Sequence, residues 1–523
     1  MVKSIDLCYL FCLLFFTPFL SCTSDVDLFS EIEENQETTT IEVSEDEDAE
    51  SENGEAEENQ VPEDNQLSED DENGEVGSAI FGEHIFYVTT EGSSSNDGKT
   101  EETSWSIDYA FSNAQAGNII YVKAGNYGGI SLKVGNSGNS GNPIQFIGYR
   151  TTAGDTQSKG EPTVTFEEYK DNGDAYDSSK MPTLIGERVN DIGLGQGIHI
   201  IDVDYIEIMN FQISRYEQNV LVQYADYVKL DNMILSDSGD FNPDNTDANG
   251  GANGRNNTGE GIAAYFTEYI SVGNCLSIND GMRGIMISDS NNGQHFNSKV
   301  YSDNNINSCD YYYLLYNSDN HVVDNIYIER VGELRHEGHG LCLKDGSSNN
   351  LIKNSYIKAT MLELSFDNVH DNVIQDCYVE GGFNEGEIRV ANGAHDNKFY
   401  RNTVVGGEGG VTFCDWVDGG NDGITNAGFN NQFIDCTFSD MDFGVGFYFF
   451  DQFESEAYDN TFVNCNFKNL NHLFEVDRPN RANVLRDCTI ENVSSLIGFY
   501  YPSNDYRTAD VILEGNTYIN TSF

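Results

Sequence analysis

Asn350-Leu351-Ile352-Lys353-Asn354-Ser355-Tyr356-Ile357 alternates apolar and polar side chains, breaks at Asn354 and alternates again. Alternation over runs this short describes strands, and the Gly/Asn/Asp/Ser clusters around them supply turns. The break recurs at Asn210, Asn232, Asn274, Asn297, Asn325, Asp376, Asn402, Asp435, Asn464, Asp487 and Asn516, each followed by a small or apolar residue. Most steps are roughly 22 to 33 residues, the period of a supersecondary unit that stacks on its neighbours. No run inside a unit is long enough for a helix. One unit cannot bury its apolar side alone, so the coils must stack as parallel strands about 4.8 Å apart. The expected class is all-β, a parallel-strand solenoid.

Two columns follow from that stacking. Asn232, Asn274 and their equivalents are expected to form a side-chain amide ladder over buried turn backbone. Cys275, Cys377, Cys436, Cys465 and Cys488 share a register with Ser298, Ser355 and Thr403 as small inward side chains. Of 11 Cys in the chain, those in stacked coils are expected to be free buried thiols. No CxxC pair or Cys/His cluster has zinc spacing.

The repeat region resembles the right-handed parallel β-helix (pectin-lyase-like) proteins; the handedness comes from that resemblance and from the general crossover rule. Phe86-Tyr87-Val88, Trp105-Ser106-Ile107, Ala116 to Val122 and Gly141 to Tyr149 resemble the opening of secreted β-helix polysaccharide lyases. Ser106 to Ala114 would then be the short helix that caps the first coil. Polar insertions at about 151–192 and 238–259 leave the coil pattern and are expected to wall a groove. Asp240-Phe241-Asn242-Pro243-Asp244 alternates oxygen ligands as a Ca2+ loop does, but Gly251 stands where an EF-hand needs Glu. A generic calcium site and a solvated turn both remain readings of it.

Lys3 followed by the apolar run Leu7 to Leu20 reads as a cleavable export signal over 1–21, too short to span a membrane. Phe19-Leu20-Ser21-Cys22 resembles a bacterial lipobox, with Phe19 where Leu is usual, which implies lipid attachment at Cys22. Residues 22–79 are crowded with Asp and Glu and contain no Lys or Arg. Such a segment cannot bury a core and reads as a disordered tether. The folded part is expected over 80–523. A lipid-anchored, monomeric protein of the bacterial outer membrane or cell surface is the expectation. With 27 Lys and Arg against 87 Asp and Glu, nucleic acid is an unsuitable partner.

Candidate chemistry comes from lining up one strand of successive coils. Gly340-Leu341-Cys342-Leu343-Lys344 aligns with Leu362-Glu363-Leu364-Ser365, then with Glu387-Ile388-Arg389-Val390, Val411-Thr412-Phe413-Cys414 and Phe474-Glu475-Val476-Asp477. With the Leu, Ile and Val side chains inside, Lys344, Glu363, Glu387 and Arg389 share an expected exposed face. Arg335, His336 and His339 lie on the preceding turn. A cluster of titratable groups in a chain this poor in cations is a site candidate; ordinary cross-strand ion pairs are the plainer reading.

Gly340 to Lys344 resembles the Lys segment of β-helix lyases acting on alginate and chondroitin. That resemblance implies Lys344 as base, assisted by an Arg one coil later. Here the next coil carries Glu363 and Ser365, and Arg389 lies a further coil on. Gly338-His339-Gly340 and Ile388-Arg389-Val390 also resemble polygalacturonase-type hydrolases. Of that family's remaining carboxylates only Asn279-Asp280-Gly281 and a single Asp310 have counterparts.

β-Elimination on a uronate needs a base for the C5 proton and neutralisation of the carboxylate. Lys344 would be the base, Arg389 and His339 the neutralisers or proton donors, and Glu363 and Glu387 tuning or metal groups. Loss of the next sugar (a lyase) and loss of a 4-hydroxyl as water (a dehydratase) begin alike. Hydrolysis would instead pair Glu363 with Glu387 on adjacent coils, about 5 Å apart. A non-catalytic glycan-binding surface is the third reading. Glu387, Arg335, His336, Tyr313 and Trp416 are the expected substrate-binding residues, with aromatic stacking from Tyr311, Tyr312, Tyr316, Tyr448, Phe449 and Phe450. The expected partner is an acidic polysaccharide or oligosaccharide.

Overall fold

Each coil runs through three short strands, and each strand pairs in parallel with its counterpart one coil on. Leu351, Ile352 and Lys353 thus lie beside Val373, Ile374 and Gln375. In this computed structural model the chain is a parallel β-helix. It describes residues 84–171, 177–240, 259–302, 311–331, 338–366, 368–381, 386–415, 426–448, 456–477, 479–499, 509–521 and 523. The signal, Cys22, the acidic tether, Arg335, His336, Trp416 and most of the calcium-like loop after Asp240 lie outside the described residues.

The first sheet stacks 15 strands, from Ile85–Val88 to Val511–Glu514. The second contains strands such as Tyr356–Lys358, and the third strands such as Met361–Ser365. These two merge at Thr437–Phe447, which pairs with both Thr403–Val405 and Gly409–Cys414.

Asn354 and its equivalents make the turn from first to second sheet in the left-handed conformation, with φ of 52° at Asn354 and 65° at Asn210. Asn and Asp tolerate that region best among residues with a Cβ. Where the phrase carries Asn402 and Asn516, the left-handed residue is Arg401 or Gly515. Asn402 and Asn516 instead take the inward register of the cysteines, and each accepts the backbone N–H of the Cys one coil earlier. Asn402, not Thr403, therefore belongs to that column. The described cysteines are free and buried.

The expected amide ladder forms in part: Asn232 Nδ2 donates to Asn210 Oδ1 at 2.8 Å, Asn297 Nδ2 to Asn274 Oδ1 at 3.3 Å and Asn325 Nδ2 to Asn297 Oδ1 at 2.8 Å. Asn210, Asn232 and Asn274 are buried, but Asn325 and Asn354 are exposed. The continuous buried ladder is Asn350, Asn372, Asn397, Asn431, Asn460 and Asn483, before the first-sheet strands. Each Nδ2 donates to the next Oδ1 at 2.9–3.1 Å and to a backbone carbonyl of the coil before. An amide both donates and accepts, so one residue type repeats without leaving a buried polar atom unsatisfied. Beside it, Phe399, Phe433 and Phe462 stack at 4.3 and 4.5 Å in the interior.

The helix Ile107–Asn113, with Ser106 at its N-cap, buries Ile107, Ala110 and Phe111 over the first coils. Phe111 stacks on Phe146 at 3.9 Å. The insertion at 151–192 does not stand beside the Lys344 strand. Its Val164 and Phe166 pack on Ile234, Leu276, Ile278 and Tyr301, outside the second sheet.

Candidate active site

The third-sheet ladder aligns the strands in the expected register: Cys342 lies beside Glu363, Glu363 beside Arg389, Arg389 beside Thr412, and Lys344 beside Ser365. Leu341, Leu343, Leu362, Leu364, Ile388 and Val390 point into the core. The alternate side chains therefore emerge on the outer side of three consecutive strands. They are not exposed, however. Lys344 and Arg389 are 3 % exposed, and Glu363 and Glu387 are 0 %.

Glu363 is the hub. Its Oε2 accepts a hydrogen bond from His339 Nδ1, and its Oε1 accepts Ser365 Oγ at 2.7 Å. Lys344 Nζ lies 3.9 Å from Oε1. Burial alone would push this carboxyl up. The charges of His339, Lys344 and Arg389, with the His339 hydrogen bond, outweigh it and hold Glu363 well below the usual carboxylate range. Glu363 is thus an anion that gathers cations. With Nδ1 committed to Glu363, His339 has Nε2 left for other work, and its side chain is 10 % exposed.

Lys344 donates to the Tyr311 phenol oxygen at 2.8 Å. Its Nζ also sits 4.3 Å from the ring centroids of both Tyr311 and Phe366. The Tyr311 ring stacks on His339 at 4.8 Å. Tyr311, rather than Tyr313, is the tyrosine of this site. Tyr313 is fully buried in the interior core, edge-on to His295, which corrects its expected substrate-binding role. Tyr312 also belongs to the interior core, so alternation fails where the chain enters this strand. Three consecutive tyrosines carry no hydrophobicity contrast from which that break could be read, and parity alone would place Tyr311 inside with Tyr313 and Leu315.

Two further expectations change. Glu387 does not stand opposite Glu363; Arg389 does. Glu387 precedes its strand, with its carbonyl accepting Leu362 N–H. Tyr448, expected on an open stacking platform, is buried beside Phe443.

Donor atoms of His339, Cys342 and Glu363 lie within 4.8 Å of one another. This nitrogen–sulfur–oxygen set is chemically unsuited to calcium, which takes oxygen ligands. Burial and then Glu363 push the Cys342 thiol well above its ordinary value. With the charges of Lys344 and Arg389 beside Glu363, the same atoms form a buried ion-pair cluster.

No protein-family model matches this chain, and no curated protein matches it. Solved structures similar to it include an alginate lyase from Paenibacillus sp., at 14% identity over 82% of this chain and 99% of that one, TM-score 0.31. A mannuronic acid specific polysaccharide family 6 lyase from human gut microbiota matches at 13% identity over 75% and 80%, TM-score 0.44. A lacto-N-biosidase from Eubacterium ramulus matches at 13% identity over 82% and 68%, TM-score 0.41. These three solved structures are carbohydrate-active enzymes, two lyases and one lacto-N-biosidase.

Proposed function

We propose that this chain is a carbon–oxygen lyase acting by β-elimination on a uronic-acid-containing polysaccharide or oligosaccharide. The observation that carries the reading is the gathering of Lys344, His339 and Arg389 around one buried, ionised glutamate. A uronate loses its C5 proton only when its carboxylate is neutralised, and a site excluded from water makes each cation more effective. Lys344 takes the proton in its amine form, Arg389 and His339 are the cations that meet the carboxylate, and Glu363 holds all three side chains in place. Chain cleavage and loss of water share this first step, and both belong to the proposal.

Hydrolysis is less well supported. It needs a carboxyl acid and a second carboxylate, whereas Glu363 is held ionised and faces a guanidinium. Export, lipid attachment at Cys22 and tethering to the outer membrane or cell surface through the acidic segment complete the proposal.

The test is ultraviolet absorbance of the unsaturated product on alginate, polygalacturonate and ulvan. We expect Lys344→Ala to lower kcat by about 10²–10⁴-fold with KM nearly unchanged. New reducing ends without the absorbance would shift the assignment to hydrolysis.

A further inference from the structure

We propose that Tyr311 is the acid of this reaction, protonating the leaving oxygen and recovering its proton from Lys344. The inference rests on the elimination reading and adds to it the fate of the proton. Lys344 Nζ and the Tyr311 oxygen are 2.8 Å apart, and both side chains are buried, at 3 and 5 % exposure. On one side Tyr311 pairs along the ladder with Arg283, itself bound to Glu260 at 3.0 Å. On the other side it stacks on His339, which holds Glu363.

The other groups of the cluster are unsuited to giving up a proton. The Arg389 guanidinium does not deprotonate in proteins. Glu363 is ionised and has none to give. The Nδ1 of His339 is committed to Glu363, and its Nε2 is assigned to the uronate carboxylate rather than to the leaving oxygen. Ser365 commits its O–H to Glu363 Oε1 at 2.7 Å, and the phenol of Tyr311 is the O–H in contact with the base.

The cycle closes within the pair. Lys344 acts from its amine form, its proton released to solvent before the uronate binds, while Arg389 and His339 continue to balance Glu363. The amine takes the C5 proton; an N–H bond forms, the C5–H bond breaks, and its electron pair moves into the neutralised carboxyl group. That pair then forms the C4–C5 double bond as the C4–O bond breaks, and the Tyr311 O–H gives its proton to the departing oxygen. The pair is left as ammonium and phenolate. Transfer across their hydrogen bond restores amine and phenol, with no outside acid or base consumed.

Tyr311→Phe keeps the ring that stacks on His339 and removes only the O–H. The experiment compares full-length wild type, Tyr311→Phe and Lys344→Ala on the three polymers and on a uronoside carrying nitrophenol at O4, a leaving group that needs no proton. For the Phe variant we expect polymer kcat to fall about 10²–10⁴-fold, with KM within a few-fold and a much smaller loss on the nitrophenol substrate. Lys344→Ala should lose both. A Phe variant with wild-type polymer kcat, or with equal losses on both substrates at an unchanged melting temperature, overturns the role of Tyr311 and leaves the lyase reading standing. No elimination by wild type on either kind of substrate overturns both.

Discussion

Glu363 and Asp280 are carboxylates that the same solenoid buries, at 0 and 1 % exposure, and they are held in opposite ways. Asp280 sits at the turn between second and third sheets. It accepts Ser277 Oγ, Ser238 Oγ at 2.7 Å and Asn219 Nδ2 at 3.4 Å, so one side chain ties three successive coils. Burial pushes it up to about 7, against the lowering effect of its hydroxyl and backbone donors. Glu363, equally dry, is held far down because cations surround it. Partner charge, not burial, decides which of the two is ionised. The carboxylate that recruits Lys344, His339 and Arg389 belongs to the candidate site; the one wrapped in hydroxyls pins the scaffold.

Removing the charge of Glu363 should have the largest effect on stability. Glu363→Gln leaves buried cations without their anion and should cost about 3–5 kcal/mol, read as a lower denaturant midpoint, together with loss of elimination. A change within experimental error would mean that the cations do not depend on Glu363.

Asp280 should show the opposite pH response. Its value is raised in the folded state, so its contribution to stability is fully present below the unfolded value near 4 and is lost as pH rises through about 7. The folded value of Glu363 is lowered, so its contribution is present above the unfolded value and lost at low pH. Asp280→Asn should match wild type near pH 4 and become the more stable protein by pH 8, by about 4 kcal/mol at most. Parallel melting temperatures across that range would break the contrast.

The smallest effect is expected in the repeating scaffold, where neither charge nor chemistry is at stake. Asn397→Ala removes the acceptor for the Asn372 amide groups and the donor to Val369 O. The loss should be about 1–3 kcal/mol without any change in pH dependence, measured by denaturation at pH 5 and 8.

Much of the scaffold was legible in the chain because alternation is local. The break at Asn354, the inward leucines and the shared outer side of Lys344, Glu363 and Arg389 all follow from a period of two and a stacking repeat. The cysteine register was legible for the same reason, apart from the one-residue slip at Asn402. Other features depend on what a neighbouring coil brings. Asn350 and Asn354 are the same residue in one strand turn, yet Asn350 is buried in the amide ladder while Asn354 is exposed and donates to Asp324 at 2.8 Å, because Asn350 starts the strand on the interior side.

The chain by itself therefore determined a parallel-strand solenoid and the residue types of the candidate site. Only the tertiary structure decided that the site is buried, that Arg389 rather than Glu387 faces Glu363, and that Tyr311 rather than Tyr313 meets Lys344. Side-chain parity is a property of a single strand. Burial, register between coils and the protonation of a carboxyl are properties of its neighbours, and these come from residues roughly a full repeat away.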